Sequence, residues 1–260
     1  LFLCFNRTLA NKIRYGFDRN ETLIEVATFH SFARKIIDLY HPSWWKENSA
    51  SEDFWELDVP VKLEECLPYY NDKYDAIIID EAQDFKELWF ELIFSLGAQE
   101  SSKHVFMDEM QDIFGHFTKI PNEESFIKYN LPENCRNTKT IVRYLSEVVS
   151  KDIKTFPNSP EGEAVVLQSF KNQTEQQKYL LDEIKSLTRE QGISTDQILI
   201  LLNSSKVESC LGATVKAGKL DIKALDNKGL FQGDAINYTT INTFKGLEAD
   251  IVFIVDADKI

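Results

Sequence analysis

An α/β fold in two successive parts, each with a mainly parallel sheet, is what this sequence predicts, and three observations predict it. The first is the stretch Tyr74-Asp75-Ala76-Ile77-Ile78-Ile79-Asp80-Glu81-Ala82-Gln83-Asp84, an apolar run that stops at a cluster of carboxylates. Consecutive β-branched residues such as Ile77, Ile78 and Ile79 suit a central parallel strand covered on both faces. The second is the alternation of short apolar runs with amphipathic segments up to residue 137. The third is the return of that alternation after it. A boundary near 137 follows, dividing the chain into 1–137, with a small insertion at 41–72, and 138–260.

Taken in order, Leu1–Phe5 reads as a strand with no preceding turn, so the chain is expected to begin inside a sheet, and Leu9–Tyr15 reads as the start of a helix. Residues 22–28 read as a second strand. Ser31 is expected to cap a helix with Phe32, Ile36, Ile37 and Tyr40 on its apolar face. From His41 to Asp72 periodicity lapses, while Trp44, Trp45, Phe54 and Trp55 gather between Pro42, Pro60 and Pro68. This insertion has room for a few helical turns whose aromatics close a small local core. The spacing of Phe85, Leu88, Trp89, Leu92, Ile93 and Leu96 predicts a helix ended by Gly97. His104–Met107 follows as a short strand ending at Asp108. Thr138–Ser150 reads as an amphipathic helix and 158–162 as a turn. The second part then predicts strand Ala164–Leu167, helix Glu175–Thr188, and strands Gln197–Leu202, Ala235–Ile241 and Ile251–Val255. Residues 203–234 are polar and Gly-containing.

The 260 residues suit one large or two medium domains. No apolar run approaches the roughly 18 residues of a membrane span, and Leu1–Phe5 lacks the basic region and length of a signal peptide. A cytoplasmic protein without a membrane partner is expected. Cys4, Cys66, Cys135 and Cys210 lie far apart without metal-ligand spacing, which points to reduced thiols. The net charge of −13 runs against tight binding of nucleic acid, because phosphate contacts rest on Lys and Arg. No basic stripe is evident, so any such binding should be weak.

Ligands in open α/β sheets bind beyond the carboxyl ends of the strands, which puts Asp80 and Glu81 at a site. In nucleotide hydrolases an Asp there holds Mg²⁺ through water, and a neighbouring carboxylate orients or deprotonates the attacking water. The alternative is a strand followed by an acidic helix N-cap.

Asp80-Glu81-Ala82-Gln83-Asp84 resembles the DEAQD form of the Walker B motif in UvrD/Rep-like superfamily 1 DNA helicases. Five further segments resemble that family's motifs in the right order: Leu3-Cys4-Phe5-Asn6-Arg7, Thr28-Phe29-His30-Ser31-Phe32, Asp108-Glu109-Met110-Gln111-Asp112-Ile113-Phe114, Asn134-Cys135-Arg136-Asn137, and Thr240-Ile241-Asn242-Thr243-Phe244-Lys245-Gly246-Leu247-Glu248-Ala249-Asp250. The resemblance implies two RecA-like domains of the P-loop NTPase type, the first truncated at its N-terminus and the second at its C-terminus. It also implies the motor core of an ATP-dependent DNA helicase or translocase, with ATP and Mg²⁺ as cofactors and single-stranded DNA as partner. Residue by residue, it assigns Asp80 to Mg²⁺, Glu81 to the attacking water, Gln111 to the γ-phosphate and Arg136 to the role of an arginine finger. Lys245, Gly246 and Glu248 fall on the nucleotide side, with Glu248 at the ribose. Phe5, Asn6, Thr28, His30, Ser31, His116 and Asn242 fall on the DNA path.

Several residues depart from the family pattern. His116 stands where many relatives have a tryptophan, Cys135 where a tyrosine packs on adenine, and Asn242 where histidine is common. Plainer readings stay open beside these roles: a core Phe5 next to a turn Asn6, an ordinary helix cap at Thr28–Ser31, a solvated Arg136, and a Lys-Gly turn with a solvated Glu248. No Gly-x-x-x-x-Gly-Lys-Ser/Thr occurs. The nearest stretch, Gly212 to Gly218-Lys219-Leu220, has five intervening residues and Leu in place of the hydroxyl. The family's final arginine motif does not occur before Ile260 either. The chain is therefore expected not to turn over ATP alone. The other class of function is a non-catalytic helicase-like module that binds nucleic acid or a protein partner.

Overall fold

The computed structural model describes residues 1–17, 23–48, 53–108, 111, 119–214, 216–226 and 230–257. They form two compact units, one of residues 1–121 with 173–260 and the other of residues 122–172. The first stretch of the larger unit contains β1 (Phe2–Cys4), α1 (Arg7–Gly16), β2 (Val26–Thr28), α2 (Phe29–Tyr40), α3 (Trp44–Asn48), α4 (Val59–Cys66), β3 (Tyr74–Asp80), α5 (Glu87–Phe94) and β4 (Gly97–Val105). Its four strands lie in the order β2-β1-β3-β4, every neighbouring pair parallel. Cys4 is paired with both Thr28 and Asp80, so three strands end level. On β3, Ile77 and Ile79 are fully buried while Ile78 is half-buried, so one face is sealed more completely than the other.

Helix α2 buries Phe29, Phe32, Ala33, Ile36 and Ile37, a stripe at helical spacing. Its cap differs from the expected one. Thr28 is the N-cap, extended at φ −87° and ψ 158°, and Ser31 is its partner three residues on, in a reciprocal capping box. The insertion does close a local aromatic core: Trp44 stacks on Phe54 at 5.3 Å and Trp45 meets Phe54 edge-on at 5.9 Å. Val59, Leu63 and Cys66 of α4 are buried. Gly97 opens β4 instead of closing α5, whose C-cap is Ser95. Strand β4 also starts earlier than the expected His104–Met107. Most of its added length, Gln99 to Lys103, is polar, as an edge strand allows.

The smaller unit holds β5 (Glu133–Asn134), α6 (Lys139–Val149) and β6 (Lys154–Thr155), with β5 and β6 parallel. Thr138 caps α6 and Ser150 ends it at φ 52°. Ala164–Leu167, expected as a strand, pairs with nothing in a ladder, and Val166 and Leu167 are exposed. A short apolar run favours a strand only where a neighbour supplies the other half of the ladder.

The larger unit resumes with α7 (Gln173–Arg189), β7 (Ile198–Leu202), β8 (Lys216–Ala217), β9 (Leu220–Ala224), β10 (Ala235–Thr240), α8 (Ile241–Phe244) and β11 (Ile251–Val255). The second sheet runs β11-β7-β10-β9-β8, parallel throughout except for the β8–β9 hairpin. All five residues of β7 are buried, and Leu180, Ile184, Leu211, Ile222 and Ile236 pack into the same core. The hairpin lies inside the stretch read only as polar. Strand β8, before Gly218-Lys219, has two residues, too few to show a period. Leu225, Phe244 and Leu247, from the part of the larger unit after α7, pack against Cys4, Leu9, Ala10 and Val26 of the first sheet's layer. No helix among the described residues is long and apolar enough to cross a membrane. All four cysteines are free thiols.

Candidate functional site

Strand β3 delivers Asp80 to the end of the first sheet, and the next residue turns the chain sharply. Glu81 sits at φ 53° and ψ 44°, a left-handed conformation that costs a non-glycine residue about 1–3 kcal/mol and gathers at functional sites. Asp80 Oδ1 accepts the Glu81 N–H at 3.0 Å. The turn drives Ala82, Gln83 and Asp84 into the interior as a short 3₁₀ helix. Backbone bonds from Ala82 N–H to Phe106 O (2.9 Å) and from Phe106 N–H to Ile79 O (2.8 Å) anchor it. Burial pushes the Glu81 carboxyl above the usual carboxylate range, with Gln83 and Lys245 opposing and Asp80 and Asp84 adding to the shift. The Cys4 thiol next to them is pushed up to about 12, by burial first and then by Asp80 and Glu81. It stays neutral.

Two side chains without an expected role organise these carboxylates. Gln83, fully buried, donates from Nε2 to Glu81 Oε2 at 2.6 Å and accepts the Asp108 N–H on Oε1 at 3.1 Å. It thereby fixes Glu81 to the segment that leads to Gln111. Gln111 in turn donates from Nε2 to Asp108 Oδ2 at 2.7 Å. Asp84 is equally buried, and Lys245 Nζ lies 2.7 Å from both of its oxygens and 2.7 Å from the Gln111 carbonyl oxygen. The same ammonium is 3.9 Å from Glu81 Oε2. Asp84 thus carries its own counter-charge. Sequence offered a signal for Gln83, Asp84 and Lys245, since each lies inside a motif, but none for the pairing of Asp84 with a lysine 161 residues away.

Asn6 closes the arrangement from the side of β1. Its Oδ1 caps α1 by accepting the Thr8 N–H (2.7 Å) and Leu9 N–H (3.3 Å). Its Nδ2 points to the carbonyl oxygens of Asn242 (3.2 Å), Thr243 (2.9 Å) and Lys245 (3.2 Å). Gly246 follows at φ +79°, where an added Cβ would lie 2.7 Å from Leu9 Cδ2. Only glycine lets the loop approach α1 this closely.

The remaining expected residues divide by environment. Thr28 and Ser31 bond each other's hydroxyls and backbone within their capping box. His30 Nε2 meets the Trp55 carbonyl oxygen at 3.1 Å, its ring stands edge-on to Phe29, Trp55 and Trp89, and burial lowers its pKa. Half-buried Phe5 stacks on Trp89 at 6.5 Å and 12°. Asn242 and Glu248 are exposed. Arg136 belongs to the smaller unit, exposed, with its N–H on Asn134 Oδ1 at 3.2 Å. His116 lies outside the described residues.

Among the described residues no cluster of three or more His, Cys, Asp or Glu forms a metal site. Mg²⁺ needs no such cage, because it is usually held by one or two carboxylates together with phosphate oxygens and water. The donor set at Asp80 and Glu81 fits that mode. A cleft of about 600 Å³ between Phe54–Asp58 and α5 is lined by Asp53, Glu56, Lys86 and Trp89 among others and by none of Asp80, Glu81, Asp84 or Lys245.

Parallel α/β sheets with a strained carboxylate turn at a strand's carboxyl end define an α/β protein whose candidate site lies where open sheets bind ligands. Residues 129–239 match the family model of the UvrD-like helicase C-terminal domain. The chain is also 26% identical over 172 residues to the ATP-dependent DNA helicase PcrA of Staphylococcus aureus, in strains Mu50 and COL among others. That match covers 60% of this chain and 23% of the relative, so the chain spans less than a quarter of these curated relatives. The chain is thus similar, over its second half and by this relative, to UvrD-like helicases.

Proposed function

We propose that this chain is motor-core material of an ATP-dependent DNA helicase or translocase, one that couples ATP hydrolysis to movement on single-stranded DNA. In this reading residues 1–137 and 138–260 correspond to two RecA-like domains. The observation that carries it is the knot at the end of β3, where Glu81 is strained, raised in pKa and held by Gln83, beside Asp80. Mg-ATP, when bound, supplies the phosphoanhydride to be cleaved. Asp80 would hold the cation, and Glu81, poised by burial, would take a proton from the attacking water. Gln83 keeps the Glu81 carboxylate in one orientation. Gln111 and Arg136 would address the γ-phosphate, and Gly246 and Glu248 the nucleotide. Lys245 offsets the Asp84 charge and ties the loop after α8 to the Gln111 segment, a link through which nucleotide and DNA surfaces would sense each other. Phe5, Asn6, Thr28, His30, Ser31, His116 and Asn242 would line the DNA path, with Phe5 the residue best placed to stack a base.

Without a P-loop sequence, nothing in the chain supplies the nest of N–H groups and the lysine that capture a triphosphate. The 260-residue chain is expected to release no phosphate from ATP. In a protein that supplies a P-loop to it, Glu81→Gln should abolish DNA-stimulated phosphate release while sparing ATP binding. Turnover by the 260-residue chain, or full activity in the Glu81→Gln variant, would overturn these roles. A second reading is a non-catalytic module that binds nucleic acid or a protein, and that reading gains if Glu81→Gln changes nothing.

A further inference from the structure

At the edge of the second sheet, the β8–β9 hairpin lies against the C-terminal end of α7. A cleft of about 300 Å³ there is lined by Thr188, Arg189, Lys219 and Leu220. Gly218, at φ +66°, makes the close approach possible: a Cβ at that position would lie 2.9 Å from Arg189 Nη2 and 3.7 Å from Lys185 Cε. Lys185 and Arg189 are one helical turn apart and share a face of α7. Lys219 comes from the hairpin turn and Lys216 from the strand before it.

Of the carboxylates nearby, two are ion-paired with lysines and one is hydrogen-bonded to a hydroxyl. Asp182 pairs with Lys185 at 2.8 Å, Asp221 with Lys216 at 3.8 Å, and Glu190 accepts the Ser186 hydroxyl at 2.8 Å. Among the described residues, Arg189 and Lys219 take part in no ion pair. Two exposed, unneutralised cations walling one cleft stand out in a chain of net charge −13. Thr188 adds no donor, because its hydroxyl is directed to the Ile184 carbonyl oxygen at 2.8 Å.

We propose that this cleft between hairpin and helix is a phosphate-backbone contact for single-stranded nucleic acid, with Arg189 and Lys219 each taking a phosphate and Leu220 forming the apolar floor. Arg189 and Lys219 reach the cleft from different elements, helix and hairpin turn, and two separate cations match successive phosphates better than one small anion. The contact rests on the DNA-binding reading above but uses none of its residues.

The test is binding of oligodeoxythymidylate and oligodeoxycytidylate of equal length to the 260-residue chain across a range of salt. Arg189→Gln with Lys219→Gln should weaken both oligonucleotides several-fold and equally. It should also make the slope of log K against log salt shallower by about 1.4, two contacts at roughly 0.7 each. Arg189→Lys alone should keep most of the slope, and because both residues are exposed the thermal melt should not move. An unchanged slope in the double variant, or no measurable binding by the parent chain, overturns the proposal. So does inorganic phosphate that competes at the same concentration as oligonucleotide phosphate, which would mark a simple anion site. Phe5→Ala serves as the separate arm, removing stacking and affinity with no change of slope. If Phe5→Ala has no effect while the double variant flattens the slope, the DNA path proposed above fails and this contact stands.

Discussion

The Lys245 side chain is 7% exposed and its partner Asp84 1%, so this ion pair has left water almost completely. Removing one partner of such a pair costs about 3–5 kcal/mol, whereas replacing both with apolar groups is often neutral. Lys245→Met should therefore lower the unfolding free energy in urea by about that amount, and adding Asp84→Leu should recover most of it. A double variant no more stable than the single one would show that Lys245 acts through something other than Asp84. His30 gives a second residue-scale expectation. Burial holds its pKa below the ordinary value of about 6.5. As pH falls through that value the unfolded chain takes up a proton that the folded chain resists, so stability is lost on the acid side. The melting temperature should drop between about pH 7 and about pH 5.5, and His30→Asn should flatten the drop. Equal drops in both proteins would remove His30 as the cause.

Among the elements, the loop after α8 depends on one backbone position. Gly246→Ala would impose a side chain at φ +79° and press it on Leu9, and should cost more than about 1 kcal/mol in chemical denaturation. Part of that cost is the clash with Leu9, so in a Leu9→Ala background the same substitution should cost measurably less. Strict additivity of the two would mean that only the backbone angle matters. Much at this scale was legible in the sequence. Strands β3, β7, β10 and β11 and helices α2, α6 and α7 stand where hydrophobic period and capping residues put them, to within a few residues. The misreadings have local causes. Gly97 serves a strand start as readily as a helix end, and a capping box read from Ser31 alone misses that Thr28 is the extended member.

For the whole molecule, the charge of −13 sets opposite responses to salt. Screening relieves self-repulsion of the folded chain, while it weakens any contact with nucleic-acid phosphates. Raising salt from about 0.02 M to about 0.2 M should raise the melting temperature and lower single-strand affinity in the same preparation. Melting that falls with salt would mean that exposed ion pairs such as Arg34–Asp38 outweigh the net charge.

What the sequence by itself determined is the set of elements and the chemistry at their ends. Period and β-branching mark β3, the carboxylates mark its terminus, and ordered motifs mark the family. Tertiary structure alone decided which charges are compensated and which side chains are engaged. Lys245 neutralises Asp84, Asn6 holds three carbonyl oxygens of a distant loop, and Arg189 meets a hairpin that sequence period does not reveal. The physical reason is range. Hydrophobic period and capping act over a few residues and are written locally, whereas the Lys245–Asp84 ion pair joins residues 161 apart in the chain and exists only once both sheets have packed.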